Sequence, residues 1–341
     1  MIPHTLGKEP VMTTEPLPRT MTASVHRRYG PPEVLHPEQV PVPAPRPGEV
    51  LVRVGAVAAS AADAALRAAR PAIARLAGGL LHPRNPILGS EVAGVVVALG
   101  EGVTAVAVGE RVVGATGARM GGYAECVCLR AVGIARVPDG LTLPDAVGVT
   151  EGGLTALPFL RDQARLLPGQ RVLINGASGC VGAAAVQLAA DLGAEVVGVC
   201  SGRSAELVRS LGATEVIDYT AEDFTAARGA YDVVFDTVAT SSFRRCRRAL
   251  RPGGVYLTTA PSPVAAVQSL LTRGARRRVR LAFTGLRPQA DKAADMTVLI
   301  GLAVEGRIRP VVDRTYPLAD AAEAHRLVDS RHKRGTVVLV P

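Results

Sequence analysis

The sequence predicts an α/β protein: a β-rich first domain, followed by a doubly wound parallel sheet that forms a second. Three observations predict it. The stretch Arg171–Ala190 reads RVLINGASGCVGAAAVQLAA, an apolar run, a glycine-rich turn and a small-residue helical pattern. After it, strand and helix patterns alternate, as parallel strands joined by crossovers require. Before it, apolar runs punctuated by glycine follow one another with short turns, the pattern of a barrel-like or sandwich domain.

The chain has 341 residues, of which 48% are hydrophobic, enough for two cores. Prolines, threonines and the lack of an apolar period predict a disordered extension over 1–20. The β-rich domain is expected over 21–145, completed by 306–341. Its strands are expected at 50–57, 87–97, 103–113 (two apolar runs turning at Gly109-Glu110) and 121–129, with a helix over 60–70. The α/β domain is expected over 146–305. A helical composition over 143–160 leads into it. Strands are expected at 172–174, 195–200, 215–218, 232–236, 254–259 and 278–283, and helices at 180–192, 204–211, 221–227, 241–250 and 291–305. A last helix, 318–329, precedes the strand 335–340, which is expected to return to the first domain. No run approaches the roughly eighteen apolar residues of a membrane span. The amino terminus lacks the basic-then-apolar pattern of a secretory signal. Five scattered cysteines form no disulfide framework, so a reducing, cytoplasmic setting is expected.

The glycine turn carries the chemistry. Ala177-x-Gly179-x-x-Gly182 is a dinucleotide fingerprint with alanine at its first glycine. Gly179 lets a pyrophosphate approach the backbone, and Gly182 lets the helix pack close to the strand. The amides expected to receive the phosphates are those of Gly179, Cys180, Val181 and Gly182, with Ser178 beside them. The next strand, EVVGVC, ends at Cys200-Ser201-Gly202-Arg203. An acidic residue there would accept from a ribose 2′-hydroxyl. The chain offers instead a hydroxyl at Ser201 and a cation at Arg203, which suit a 2′-phosphate, so the expected cofactor is NADP(H). Thr237 and Val238 end one strand and Thr258 and Thr259 the next, at the carboxyl edge where ligands bind.

Several segments in register resemble one family. They are Tyr29–Leu35 (YGPPEVL), Pro47–Arg53 (PGEVLVR), Leu88–Gly94 (LGSEVAG), Val108–Val112 (VGERV), Gly121–Glu125 (GGYAE) and Gly153–Ala156 (GLTA). Gly176–Gly182 (GASGCVG), Tyr231–Thr237 (YDVVFDT) and Leu250–Gly254 (LRPGG) continue them. The chain resembles the zinc-independent quinone oxidoreductase branch of the medium-chain dehydrogenase/reductase superfamily. The resemblance implies a GroES-like catalytic domain, a Rossmann domain, a cofactor cleft between them and a homodimer. It also implies Thr155 near the nicotinamide ribose, Tyr219 near the adenosine phosphate, and a phosphate contact from Lys333 or Arg334.

Zinc-bearing relatives of the superfamily hold the metal with a cysteine, a histidine before a glutamate, and a later cysteine. Here the first two positions read Ser60 and Ser90, the second followed by Glu91. Cys126-x-Cys128 has no histidine near it and fails as a zinc motif. No metal site is therefore expected, and no Lewis acid to polarise an alcohol. Hydride transfer to a small, hydrophobic, already electrophilic acceptor, a quinone or an activated enone, remains feasible. Ser60 and Tyr123 are the candidate catalytic hydroxyls, with Asp63 beside them. An enoyl thioester is an alternative acceptor, because the loops 68–84 and 261–280 carry no readable chemistry. The net charge of +9, with arginines clustered at 244–251 and 273–280, raises a non-catalytic alternative that binds NADPH or RNA. No aromatics interleave the arginines for base stacking, so nucleic acid is not the expected partner.

Overall fold

A computed structural model describes residues 12–13, 17–70, 74–260 and 262–341. Residues 1–11 and 14–16 of the expected extension, and 71–73 and 261 of the two loops, lie outside the described residues.

The first sheet is built from β1 (Met12–Thr13), β4 (Glu49–Ala58), β5 (Glu91–Leu99), β6 (Arg111–Ala115), β7 (Cys126–Arg130), β8 (Ile134–Arg136), β15 (Val312–Pro317) and β16 (Thr336–Val340). A separate hairpin pairs β2 (Thr20–Val25) with β3 (His36–Pro41). The long path runs β15-β16-β4-β5-β6-β8, with β1 on β5 and β7 on β4. The last strand therefore returns to the first domain, pairing antiparallel with β4 at Val338 and Leu339. Met12 and Thr13 lie along Leu99 and Ala98, so part of the expected extension is ordered strand.

The second sheet holds β9 (Arg171–Asn175), β10 (Glu195–Cys200), β11 (Glu215–Asp218), β12 (Tyr231–Asp236), β13 (Leu250–Thr258) and β14 (Arg278–Arg280) in the order β11-β10-β9-β12-β13-β14. Every neighbouring pair is parallel. The chain winds outward from β9 to β11, then returns to place β12 on the other side of β9. That reversal makes the carboxyl ends of β9 and β12 the switch point where ligands bind in such sheets.

The helices are α1 (Ala61–Arg67), α2 (Ala74–Gly78), α3 (Leu143–Pro158), α4 (Cys180–Asp191), α5 (Ala205–Ser210), α6 (Phe243–Cys246), α7 (Pro263–Leu271), α8 (Gln289–Val304) and α9 (Ala321–Asp329). A π-helical turn, Phe159–Ala164, continues α3. One core spans both sheets: Ala56, Ala93 and Val113 from the first sheet with Val147, Leu160, Ile174 and Val186.

Four expectations need correction. No helix forms over 221–227. Asp223 accepts from the Thr225 amide at 2.9 Å and hydroxyl at 2.7 Å, a local turn that competes with helical bonding. The helix expected over 241–250 is confined to Phe243–Cys246, because Leu250 already pairs with Tyr231 as the start of β13. The run at 103–108 is not a strand: β5 is bonded to β4 on one side and β6 on the other, leaving it no edge. Strand β5 begins at Glu91 rather than Ile87, after a left-handed Gly89 at φ +96°.

Candidate functional site

The glycine turn sits at the switch point. Gly176 adopts φ +82°, which favours glycine. A Cβ on Gly182 would lie 2.0 Å from the Gly176 carbonyl oxygen, so only glycine lets α4 start this close to β9. At Gly179, by contrast, a Cβ would meet only the Gly176 oxygen, at 3.4 Å, so the turn is open on that side. Helix α4 begins there with no side-chain cap. Its first amides lack intrahelical acceptors, and its dipole favours an anion. The open face and uncapped helix fit a dinucleotide pyrophosphate. The Gly179 amide is donated to the Gly176 oxygen at 3.0 Å and is therefore engaged within the turn.

Buried polar bonds brace the turn. Asn175, ending β9, donates to Asp236, ending β12, at 2.9 Å and to Thr240 at 3.0 Å. Asp236 also accepts from the Ser241 amide at 2.9 Å and the Tyr256 hydroxyl at 3.0 Å. Thr237 donates to the Asn175 oxygen at 2.7 Å, and Thr259 to the Thr237 oxygen at 3.1 Å. Thr258 is buried, whereas Val238 is exposed beside the Gly176 turn. Neither Asn175 nor Asp236 stood out in the sequence, although each ends an apolar strand with a polar residue.

After β10, Ser201 is partly exposed and Arg203 exposed; neither side chain is bonded in the turn. Tyr219 is 54% exposed at the end of β11. Asp218, one residue before it, accepts from the Thr220 amide and hydroxyl at 2.9 and 2.7 Å. Those amide and hydroxyl bonds hold its carboxyl below the usual range. An acidic residue thus lies near Gly202 after all, contributed by the neighbouring strand and engaged in its own turn.

The two sheets meet at this turn. Gly335 donates its amide to the Ser178 oxygen at 2.9 Å, and Lys333 Nζ donates to the Gly335 oxygen at 2.8 Å. Arg334 is exposed, its amide on Asp313. Helix α3 crosses the start of α4: a Cβ on Gly152 would lie 2.3 Å from the Cys180 oxygen. Thr155, one turn on, is partly exposed. Cys180 Sγ donates to Glu151 at 3.0 Å and lies 3.1 Å from the Thr336 hydroxyl. Burial, with Glu151 beside it, pushes this thiol well above its ordinary value.

On the first sheet's side the candidate hydroxyls are occupied. Ser60 caps α1 in a reciprocal box with Asp63: its oxygen accepts the Asp63 amide at 3.0 Å, and Asp63 accepts from the Ser60 hydroxyl at 2.8 Å. Tyr123 is fully buried, 3.3 Å from Asp63 and 2.9 Å from His325 Nε2. The Tyr123 hydroxyl is thus sealed from solvent and engaged by Asp63 and His325. His325 and Arg67, 2.8 Å apart, complete this network and escaped sequence reading. The one signal was Asp63 and Arg67 four apart on a short helix. Burial raises Asp63 to about 6 and lowers His325 to about 3.

Ser90 and Glu91 are partly exposed and bonded to each other. Burial raises Glu91 to about 7; Asp63 and Glu151 add to the rise, while the Ser90 bond and Lys292 oppose it.

Comparison with known proteins agrees with this arrangement. Residues 46–139 match the alcohol dehydrogenase GroES-like domain and 211–339 the zinc-binding dehydrogenase model. A 2-haloacrylate reductase from Burkholderia sp is 31% identical, over 94% of this chain and 99% of its own. A quinone oxidoreductase from Pseudomonas aeruginosa is 33% identical, over 92% of this chain and 97% of its own. The solved Escherichia coli quinone oxidoreductase complexed with NADPH superposes with a TM-score of 0.81 at 26% identity, covering 94% of this chain and 100% of that one. Two domains meeting at an open glycine turn, with these relatives along nearly the whole chain, establish that it belongs to the quinone oxidoreductase-like branch of the medium-chain dehydrogenase/reductase superfamily.

Proposed function

We propose that the protein transfers a hydride from NADPH to a small, hydrophobic, electron-poor acceptor, a quinone or a C=C conjugated to a carbonyl, without zinc. The observation that carries this is Ser60 and Ser90 standing where zinc-bearing relatives supply a cysteine and a histidine. Ser60 is committed to capping α1, and no group of three His, Cys, Asp or Glu among the described residues is arranged to hold a metal. An acceptor must then be electrophilic by itself. The names of the two relatives, one a quinone oxidoreductase and one a 2-haloacrylate reductase, support that class. The NADPH of the Escherichia coli neighbour supports the cofactor.

When bound, the reduced nicotinamide supplies the hydride. The chain binds and orients it. The amides of Cys180, Val181 and Gly182 hold the pyrophosphate, Gly179 and Ser178 border it, and Ser201 and Arg203 take the 2′-phosphate. Tyr219 lies along the adenosine side, Thr155 along the nicotinamide ribose, and Thr237, Val238, Thr258 and Thr259 edge the crevice. Arg334 reaches a phosphate from the last loop. The catalytic unit comprises 21–145 with 306–341, and the cofactor unit 146–305. On this reading the protein works in the cytoplasm as a homodimer; the five free cysteines and the absence, among the described residues, of a helix long and apolar enough to cross a membrane support the setting.

The test is NADPH oxidation, followed by loss of the reduced nicotinamide absorbance, with a benzoquinone, a simple enone, 2-chloroacrylate and an enoyl thioester in parallel, chelator present throughout. Turnover of a quinone, enone or chloroacrylate is expected. Activity abolished by chelator overturns the metal-free reading. Turnover of the thioester alone reassigns the acceptor. Tight NADPH binding with no turnover favours a non-catalytic protein.

A further inference from the structure

We propose that Ser90 donates the proton that completes the reduction and that Glu91, bonded to it, is the reserve that refills it; this rests on the reductase reading above. Hydride transfer alone leaves an acceptor with an unfilled proton, and general acid catalysis by a placed group speeds such a step. Ser60, Asp63 and Tyr123 are buried, and their hydroxyl and carboxyl groups are spent on one another. Thr116 gives its hydroxyl to the Gly89 oxygen at 3.0 Å. Ser90 differs: the residue is partly exposed, and its hydroxyl is bonded to the Glu91 carboxyl, which burial raises to about 7.

The backbone fixes where that hydroxyl sits. The Gly89 amide donates to Asp63 at 3.2 Å, the Gly122 amide to the Gly89 oxygen at 3.1 Å, and the Thr116 amide to the Ser90 oxygen at 2.8 Å. Gly89 holds φ +96°, and a Cβ there would lie 2.6 Å from the Tyr123 ring. The Arg67–His325–Tyr123–Asp63 network therefore positions Ser90 through Gly89, and is not itself a donor.

The charges that face Glu91 come from three helices. Asp63 on α1 and Glu151 on α3 are like charges; Lys292 on α8 is the opposite one, and its Nζ is bonded to the Gly285 oxygen at 2.8 Å. Glu151 also touches Cys180, the first residue of α4, which ties this carboxylate group to the glycine turn. Like charges and burial favour the protonated carboxyl. In that form Glu91 donates to Ser90 Oγ and leaves the Ser90 proton free to face the acceptor. In the ionised form the carboxylate takes the Ser90 proton as its own bond. The step balances. For an enone, hydride adds to the β-carbon, and the π pair moves onto the α-carbon and carbonyl oxygen. The resulting enolate takes the Ser90 proton, Glu91 passes its proton to Ser90 Oγ, and one proton from bulk solvent restores Glu91, so NADPH, the enone and that proton give NADP+ and the saturated carbonyl.

The experiment compares wild type with Ser90→Ala, Ser90→Thr and Glu91→Gln, using NADPH and an enone. Ser90→Ala should lower kcat about 100-fold, with Ser90→Thr restoring most of it, while the NADPH Kd stays within about two-fold. Wild-type kcat should fall as pH rises through about 7, and Glu91→Gln should be slow with that limb gone. In the cofactor-free protein, carbon-13 titration of glutamate carboxyls should show one group near 7, absent from Glu91→Gln. An active wild type whose variants keep its rate and pH profile, or a glutamate spectrum with no such group, overturns the proposal alone. A wild type that reduces none of the acceptors overturns the reductase reading and this proposal with it.

Discussion

The Tyr123 hydroxyl meets His325 Nε2 at 2.9 Å, joining residues 202 positions apart. What each group can donate sets the direction of the bonds. A guanidinium only donates, so Arg67, 2.8 Å from His325 Nδ1, makes that nitrogen an acceptor. Nε2 then carries the proton and donates to Tyr123, which donates to Asp63. The imidazole is held neutral from both sides, in keeping with burial and Arg67 depressing its pKa to about 3. Arg67 closes the far end on Asp329 at 2.6 Å.

Breaking this network should destabilise the fold. Tyr123→Phe leaves His325 Nε2–H without its acceptor in a buried place, for an expected loss of about 2 kcal/mol. Urea unfolding midpoints check it; a midpoint equal to wild type would show that the bonds carry no net stability.

The pH dependence of the same site has a defined sign. His325 titrates near 3 folded and near 6.5 unfolded, so below 6.5 the unfolded chain binds the extra proton. Its stability contribution is full above 6.5 and is lost as pH falls toward 3. Asp63, raised to about 6 from 3.8, acts oppositely: its folded form binds more protons between those values. The gap in unfolding free energy between wild type and His325→Gln cancels the Asp63 part, where Asp63 keeps its titration. That gap should be larger at pH 7 than at pH 4.5; a constant gap contradicts the assignment.

Two glycines of one turn should separate folding from binding. Gly182→Ala places a Cβ 2.0 Å from the Gly176 oxygen and should lower Tm markedly. Gly179→Ala meets nothing closer than 3.4 Å, so the apoprotein should keep its Tm while the NADPH Kd rises about ten-fold or more, because the methyl fills the pyrophosphate's approach. Fluorescence titration and thermal melts decide; a Gly179→Ala protein that binds NADPH normally places the pyrophosphate elsewhere.

Arg203→Ala should weaken NADPH by about ten- to a hundred-fold, the worth of one charge-assisted contact, and leave NADH unchanged. Equal affinities for NADPH before and after the substitution would remove Arg203 from the 2′-phosphate site.

The thiols should resist alkylation. Burial pushes Cys128 up to about 12 and Cys200 to about 11, and raises Cys126, Cys180 and Cys246 as well. Thiolate is the reactive form. Iodoacetamide at pH 7 should label all five only after denaturation, read by intact mass; rapid native labelling of Cys180 would contradict its closed setting.

Local pattern made much of this molecule legible. The strand, glycine turn and helix at 171–191, the alternation after it and the returning last strand all follow from periodicity and from glycines whose geometry nothing else fits. The same local reading failed where neighbours competed. Asp223 diverted 221–227 into a turn, and β5, paired on both sides, left no place for 103–108.

The sequence by itself determined the parallel second sheet and the dinucleotide turn, because each is written in residues a few places apart, and the family resemblance set Ser60 and Ser90 at two zinc-ligand positions. Only the tertiary structure decided what those serines are bonded to. Ser60 is consumed by Asp63, Tyr123 is sealed against a histidine from α9, and Ser90 alone of the three is left partly open beside Glu91. Burial and long-range partners set those surroundings, and neither is carried by spacing along the chain.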